Sequence, residues 1–185
     1  MRLKKFNFKI VNSTNDTAIK IIKTSKTKFG LISANQQKKG RGQYSKKWIS
    51  YKGNLFVTIF FTLDRINLSL SQLTKVNCLL IKKLLSFYYK KKISIKKPND
   101  LLINRKKISG ILQETIEKYN ERFLIVGIGI NLVKNPKQTN YQATNLLEVT
   151  NINFKKEKIE QKLKSIYENF IPKLGKLNTN SINKI

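Results

Sequence analysis

Alternation of apolar and polar side chains predicts the elements at the start of the chain. Residues 6–11 alternate between the two classes, which predicts a strand. Ser13 then offers a helix cap with an acid three residues later, and Ala18, Ile19 and Ile22 follow at helical spacing. The chain therefore opens with a strand followed by a helix.

Short apolar runs rich in branched and aromatic residues predict the other strands. These runs are residues 29–35, 55–62, 93–96, 101–104, 107–118 and 122–133. Turn-forming pairs at Pro98-Asn99, Asn104-Arg105 and Tyr119-Asn120 join the last four runs into a meander of hairpins.

Helical spacing of apolar residues predicts two further helices. One covers about residues 69–89, and the other stops at Pro172 before a polar tail. The apolar positions of the closing helix are Phe154, Ile159, Leu163, Ile166 and Phe170. We expect one α+β domain over residues 1–175, with a mixed, largely antiparallel sheet and helices packed against it, and a polar C-terminal tail over residues 176–185.

Composition bounds the partners of this domain. The 185 residues are 40% hydrophobic, which is enough for one core. A net charge of +28 suggests a polyanion as partner, but only five of the 38 basic residues are Arg. Because the lysines are spread along the whole chain, we expect no specific nucleic-acid site.

Cysteine and histidine counts narrow the compartment and the chemistry. Cys78 is alone, so no intramolecular disulfide forms, and no apolar stretch is long enough for a membrane helix. We expect a cytoplasmic protein without a membrane partner. The chain has no histidine, which removes Ser-His-Asp and Cys-His triads. An enzyme of this composition would act by positioning and positive charge, as in adenylation of a carboxylate.

Three segments are candidates for chemistry. In residues 37–48, glycines and cations could bind a phosphate or carboxylate. A mobile solvated loop is an equally good interpretation, and Trp48 alone fits a core position as well.

In residues 96–114, a two-residue turn at Asn104-Arg105 would place Lys107 opposite Leu102 and on one sheet face with Asp100. An ordinary surface hairpin is the alternative.

The third segment, residues 123–132, is a buried strand with two glycines and a terminal amide. Gly127 and Gly129 permit close approach to the backbone, and Asn131 follows them. The segment lacks the strand-to-helix setting of a dinucleotide-binding fingerprint.

Taken in order, these segments resemble the biotin protein ligase family. The matching blocks are Ser13-Thr14-Asn15, Gly40-Arg41-Gly42, Trp48-Ile49-Ser50, Gly53-Asn54-Leu55, Lys96-Lys97-Pro98-Asn99-Asp100, Lys107-Ile108-Ser109-Gly110-Ile111 and Gly127-Ile128-Gly129-Ile130-Asn131. The resemblance implies a fold like the catalytic domain of class II aminoacyl-tRNA synthetases. It also implies an ATP- and magnesium-dependent reaction that forms biotinyl-AMP and then biotinylates a lysine of a biotin carboxyl carrier protein.

The resemblance assigns roles to individual residues. Lys107, assisted by Arg41 and Lys96, would be the catalytic cation between the biotin carboxylate and the α-phosphate. The biotin-binding residues would be Ser13, Thr14, Asn15, Gln37, Gly40, Arg41, Gly42, Gln43, Lys107 and Gly110. The ATP-binding residues would be Trp48, Lys46, Asn99, Asp100 and Asn131, with Asp100 also near magnesium.

Two positions depart from the family pattern. Gln43 replaces the usual second arginine of the loop, and Lys97 replaces the Trp that often precedes Pro-Asn-Asp. Without the arginine, we expect measurable release of free biotinyl-AMP.

The expected boundaries leave little room for other domains of the family. The first strand begins near Met1, so we expect no N-terminal helix-turn-helix domain, and we expect no C-terminal β-barrel. By analogy of fold, the edge strands of the sheet would allow a homodimer. The competing functions are a lipoate or octanoate transferase of the same fold and a non-catalytic basic module that binds nucleic acid.

Overall fold

The computed structural model describes residues 1–64, 66–137, 141–177 and 182, and within them seven strands form one sheet. The elements in chain order are β1 (Lys4–Val11), α1 (Thr14–Thr24), β2 (Gly30–Gln37), β3 (Leu55–Thr62), α2 (Leu70–Ser86), β4 (Ile93–Lys96), β5 (Asp100–Ile103), β6 (Lys106–Lys118), β7 (Glu121–Ile130), α3 (Leu146–Thr150), α4 (Lys156–Phe170) and a 3-10 helix (Ile171–Lys176). The α+β class with a mixed, largely antiparallel sheet is confirmed.

The strand order in the sheet is β1-β2-β3-β7-β6-β5-β4. β1 and β2 are parallel and are connected through α1, whereas the other neighbouring pairs are antiparallel. The predicted meander from β4 to β7 is present. Both residues of each two-residue turn, Asn104-Arg105 and Tyr119-Asn120, have positive φ, as the tight hairpin turn requires.

Helices cover the two faces of the sheet unequally. α2 and α4 lie on one face and enclose the larger core. α1 lies on the other face over a smaller cluster of Ala18, Ile22, Ile32, Phe60, Phe123 and Ile125. Every residue of β3 is buried, which explains why this strand is a continuous apolar run rather than an alternating one.

Serine side chains cap the first two helices, and of these caps only the one at Ser13 was predicted. Ser13 caps α1 by accepting a hydrogen bond from the Asp16 amide. Ser69 caps α2 in a reciprocal capping box with Gln72. These caps fix where each helix begins.

The C-terminal region differs from the prediction in three places. α3 was not predicted, α4 begins at Lys156 after Phe154, and Pro172 lies in the first turn of the 3-10 helix. Ile182, in the expected polar tail, is buried in the larger core. Residues 178–181 and 183–185 of that tail lie outside the described residues.

No helix among the described residues is long and apolar enough to cross a membrane.

Candidate active site

A cleft of about 340 Å³ opens on the face of the sheet that carries α1. On β7, Gly127 and Gly129 alternate with residues that belong to the larger core. Both glycines therefore lie on the opposite face of the sheet, the face that α1 covers. Of the predicted site residues, those that line the cleft are Ser13, Thr14, Asn15, Gln37, Arg41, Gly42, Gln43, Lys46, Trp48, Lys96, Asn99, Asp100, Lys107 and Gly110.

Lys107 lines this cleft and has the predicted geometry. It pairs with Leu102 across the hairpin, and its Nζ is 2.7 Å from the Asp100 carboxylate. The same Nζ lies 5.4 Å from the centre of the Trp48 ring and 5.0 Å from that of Tyr141. The ammonium is thus placed by one carboxylate and two aromatic faces.

The backbone of Lys107 is held as firmly as its side chain. Its amide donates to the Gln142 carbonyl at 2.8 Å, and its carbonyl accepts from the Thr144 amide at 2.9 Å. Lys107 therefore has β5 on one side and residues 142–144 on the other, which limits movement of its Cα.

Trp48 lies directly on bare backbone of the sheet. A Cβ on Gly129 would be 2.3 Å from Trp48 Cε2, and one on Gly110 would be 2.8 Å from Trp48 Cζ3. Trp48 Nε1 is buried without a hydrogen-bond acceptor among the described residues. A buried donor of this kind is costly in a finished core and is typical of a position that a ligand completes.

Gln37 joins the start of α1 to the loop that follows β2. Its Oε1 accepts from the Thr14 amide at 2.8 Å and from the Thr14 hydroxyl at 3.0 Å. Its Nε2 donates to the Ser50 hydroxyl at 3.1 Å. Ser13, Thr14 and Asn15 are buried, and hydrogen bonds within the protein orient this polar wall at the start of α1.

Asn15 connects α1 to the floor of the cleft. Its Oδ1 accepts from the Thr58 hydroxyl at 2.7 Å, and its Nδ2 donates to Glu114 at 2.7 Å. A Cβ at Gly127 would lie 2.3 Å from Asn15 Oδ1, so only glycine leaves room for this amide.

Arg41 lines the cleft and forms ion pairs with two carboxylates. Its guanidinium donates two parallel hydrogen bonds to Glu114, at 3.0 and 2.8 Å, and lies 2.7 Å from Asp16. Burial alone would lower the pKa of Arg41, but the hydrogen bonds and charges of the two carboxylates outweigh it, and the pKa is raised. The guanidinium is therefore a permanent cation.

Two predicted residues do not line the main cleft. Gly40 is buried, and its carbonyl accepts from the Trp48 amide at 2.9 Å. Asn131 borders a smaller neighbouring pocket, and its side chain donates to the Thr144 carbonyl at 3.0 Å. Asn131 thus orders the segment beside Lys107.

Comparison with known proteins places the chain in a family. Residues 7–131 match the model of the biotin/lipoate A/B protein ligase family. The chain belongs to this family. It is 33% identical over 129 residues to the bifunctional ligase/repressor BirA of Bacillus subtilis, an alignment covering 69% of this chain and 40% of that protein. It is 30% identical over 128 residues to the biotin–[acetyl-CoA-carboxylase] ligase of Paracoccus denitrificans, covering 68% of this chain and 53% of that protein.

Solved structures agree with the family assignment. The biotin protein ligase of Aquifex aeolicus in complex with biotin and ATP superposes with a TM-score of 0.80 and 27% identity, covering 94% of this chain and 72% of that one. An archaeal lipoate protein ligase from Thermoplasma acidophilum, at 9% identity and a TM-score of 0.67, shares the fold. The predicted resemblance to biotin protein ligase catalytic domains is confirmed, although this chain spans only about two fifths of the BirA sequences that it matches.

Several side chains around the cleft were not predicted from sequence. Glu114 and Asp16 hold Arg41, and Tyr141 faces Lys107. The only available signals were an acid at the end of the second segment and an acid in the first turn of α1. Neither signal indicates a partner on a distant loop.

Positive charge dominates the lining of the cleft. The described lining residues include six cations and a single carboxylate, that of Asp100. The cations are Arg41, Lys46, Lys47, Lys96, Lys97 and Lys107. This balance suits a ligand that carries several negative charges.

Proposed function

We propose that this chain is an ATP-dependent biotin protein ligase. It would form biotinyl-AMP from biotin and ATP and then transfer biotin to a lysine of a biotin carboxyl carrier protein. The observation that carries the proposal is the ammonium of Lys107, held 2.7 Å from Asp100 in a cleft that five other cations also line. Biotin as the substrate is supported by the names of the relatives, among them a biotin–[acetyl-CoA-carboxylase] ligase.

The first step needs charge stabilisation more than acid–base chemistry. A carboxylate oxygen of biotin attacks the α-phosphorus of ATP, the bond to the bridging oxygen breaks, and pyrophosphate leaves. Lys107 would neutralise the negative charge that collects on the α-phosphate, and Lys96 at the rim would attract the phosphates. No histidine is required, in agreement with the composition.

The second step uses a nucleophile that the partner supplies. The neutral amine of a carrier lysine attacks the carbonyl carbon of biotinyl-AMP, and the bond from that carbon to the bridging oxygen breaks. AMP leaves with the bridging oxygen, and the nitrogen loses a proton to solvent as the amide forms. The chain itself contributes position and shielding from water. The glycine-containing loop that carries Trp48 would cover the reactive anhydride.

The polar wall at the start of α1 would recognise the ureido ring. Ser13 and Thr14 are buried and Gln37 is half-buried, and their hydroxyl and amide groups are already oriented by hydrogen bonds. A site of this kind discriminates strongly against analogues that lack the matching polar atoms. Trp48, Asn99 and Asn131 would contact the nucleotide.

Magnesium fits the site only as a companion of the phosphates. Magnesium is commonly held by one or two carboxylates together with phosphate oxygens. Asp100 supplies one carboxylate, and the described residues contain no group of three or more His, Cys, Asp or Glu that could form a cage. Bound there, the ion would supply charge neutralisation on the phosphates.

The test is a biotinylation assay with ATP, magnesium, biotin and a carrier domain. Pyrophosphate release and biotinylated carrier lysine should both appear, and Lys107→Ala should slow pyrophosphate release by roughly 100-fold to 1000-fold. Lys106→Ala removes the neighbouring lysine, whose Nζ lies 3.8 Å from Glu148, and should leave the rate nearly unchanged. An unchanged rate in Lys107→Ala would refute the assigned mechanism.

Parallel reactions separate the competing functions. Transfer of lipoate or octanoate in place of biotin would identify a transferase of the same fold. Salt-sensitive binding to DNA without biotin-dependent pyrophosphate release would identify a nucleic-acid module.

A further inference from the structure

Arg41 sits at the start of a small hairpin inside the loop between β2 and β3. We call residues 38–54 the glycine loop. Arg41 pairs with Lys47 in an isolated bridge, the Gly42 amide donates to the Lys46 carbonyl at 2.7 Å, and the Trp48 amide donates to the Gly40 carbonyl at 2.9 Å. Fixing Arg41 therefore also fixes Trp48 at the other end of the hairpin.

The partners of Arg41 belong to the body of the domain. Glu114 is on β6 and Asp16 is in the first turn of α1. Glu114 accepts a hydrogen bond from Asn15 Nδ2, and Asn15 Oδ1 accepts one from the hydroxyl of Thr58 on β3. A continuous chain of polar contacts thus runs from the centre of the sheet to the glycine loop.

The local charge argues against a direct role of Arg41 on an anionic substrate. One guanidinium faces two carboxylates, so the cluster formed by Arg41, Glu114 and Asp16 carries a formal charge of −1. A substrate carboxylate that approached this guanidinium would also approach both acids. By contrast, Lys107 faces one carboxylate, that of Asp100, and both residues line the cleft.

We propose that Arg41 is a positioning residue, which latches the glycine loop to Glu114 and Asp16 and so keeps Trp48 seated on Gly129. The latch is open to solvent: the Arg41, Glu114 and Asp16 side chains are 39%, 26% and 48% exposed. Ion pairs at this exposure are screened by solvent, so loss of one partner should be enough to loosen the glycine loop. The consequence for catalysis, though not the latch itself, rests on the proposed function.

Trp48 reports the latch without any substrate, because it is the single tryptophan of the chain. Glu114→Gln, Asp16→Asn and Arg41→Ala should each shift its emission to longer wavelength and increase its quenching by acrylamide. Glu117→Gln makes the same change at an exposed position of the same strand and should leave the emission as it is in the unaltered chain. Equal quenching in the unaltered chain and in all three latch variants would overturn the proposal.

Kinetics distinguish a latch from a cation that touches substrate. If Arg41 acts through the carboxylates, Arg41→Ala and the double variant Asp16→Asn/Glu114→Gln should speed release of biotinyl-AMP by similar factors, roughly threefold to tenfold. Combining Arg41→Ala with the double variant should add little to either. If Arg41→Ala slows adenylate synthesis strongly while Asp16→Asn/Glu114→Gln keeps or raises it, Arg41 contacts the substrate and the latch is wrong.

The two readouts also separate this proposal from the proposed function. If the protein makes no biotinyl-AMP but the variants show the fluorescence changes, the latch is supported and the ligase assignment is refuted. Thermal unfolding midpoints that match the unaltered chain within a few degrees would show that the variants are folded.

Discussion

Gly127 and Gly129 in the cleft each lie against one side chain. Gly127 accommodates the amide of Asn15, and Gly129 accommodates the indole of Trp48. The sequence predicted close approach to the backbone at these two positions but not the identity of the approaching groups. The partners come from α1 and from the glycine loop, which are distant in sequence.

Substituting these glycines should give two different kinetic signatures. Gly129→Ala would force Trp48 off the sheet and should raise the KM for ATP by roughly tenfold, as expected from losing about 1–2 kcal/mol of base stacking. Gly127→Ala would displace Asn15 and should raise the KM for biotin instead. Initial rates measured against each substrate in turn would check this. The same KM changes in both variants would contradict the assignment of Trp48 to ATP and of the start of α1 to biotin.

Gln43 lines the cleft at the position where the family usually has an arginine. A neutral amide attracts an acyl phosphate less than a guanidinium does, so the intermediate should leave the cleft measurably. Gln43→Arg should slow the release of biotinyl-AMP, measured by trapping free intermediate after rapid filtration. Gln43→Ala serves as control and should release it about as fast as the unaltered chain; unchanged retention in Gln43→Arg would contradict the prediction.

At the scale of elements, one buried asparagine organises the segment after β7. Asn54 Oδ1 accepts hydrogen bonds from the amides of Leu132, Val133 and Lys134, and its Nδ2 donates to the Lys134 carbonyl. This segment leads to Tyr141 and to the strand-like residues that flank Lys107. Asn54 thus supports the site without lining it.

Removing this asparagine should destabilise the fold. Asn54→Ala leaves three backbone amides without their acceptor and should lower the free energy of unfolding by about 2–3 kcal/mol. Asn7→Ala, on the exposed side of β1, should change it little. Urea unfolding of both variants provides the measurement, and equal midpoints would contradict the role of Asn54.

The elements that sequence missed are those formed by tertiary contacts. α3 spans five residues, too few for a periodic pattern, and its first amides donate to the carbonyls of Asn131 and Leu132. Pro172 ended the predicted helix because proline blocks a continuing α-helix, yet it is also compatible with the first turn of the 3-10 helix. Local rules could not decide between these two uses.

At the scale of the whole molecule, local pairing was predictable and distant pairing was not. The Asn104-Arg105 turn set the pairing of Lys107 with Leu102, so a shared sheet face for Lys107 and Asp100 could be predicted from spacing. The register shift between Leu101 and Leu102 could not. The place of β3 between β2 and β7 depends on long-range packing. For the same reason Glu114, 73 residues from Arg41, was not predicted as its partner.

The single cysteine reports the integrity of the whole fold. Burial, reinforced by the charge of Asp100, raises the pKa of Cys78 to about 12. Keeping this thiol neutral stabilises the folded state fully below its ordinary pKa of 9.0, and that contribution is lost progressively as pH rises toward 12.

Cys78 should therefore react slowly with an aromatic disulfide reagent at pH 8 while the chain is folded. In urea the rate should rise by on the order of 100-fold, because the thiolate is the reactive form and becomes accessible. The absorbance of the released thiol gives the rate. Equal rates in folded and unfolded chains would contradict the burial of Cys78.

The confinement of Lys107 has a consequence for the entropy of binding. A lysine side chain that becomes ordered loses rotamer freedom equivalent to about 1.5–2 kcal/mol. Here Asp100 and the rings of Trp48 and Tyr141 already restrict the side chain, and its Cα is fixed between β5 and residues 142–144. Most of that loss occurs when the chain folds, so an arriving anion meets an ammonium whose ordering costs it little.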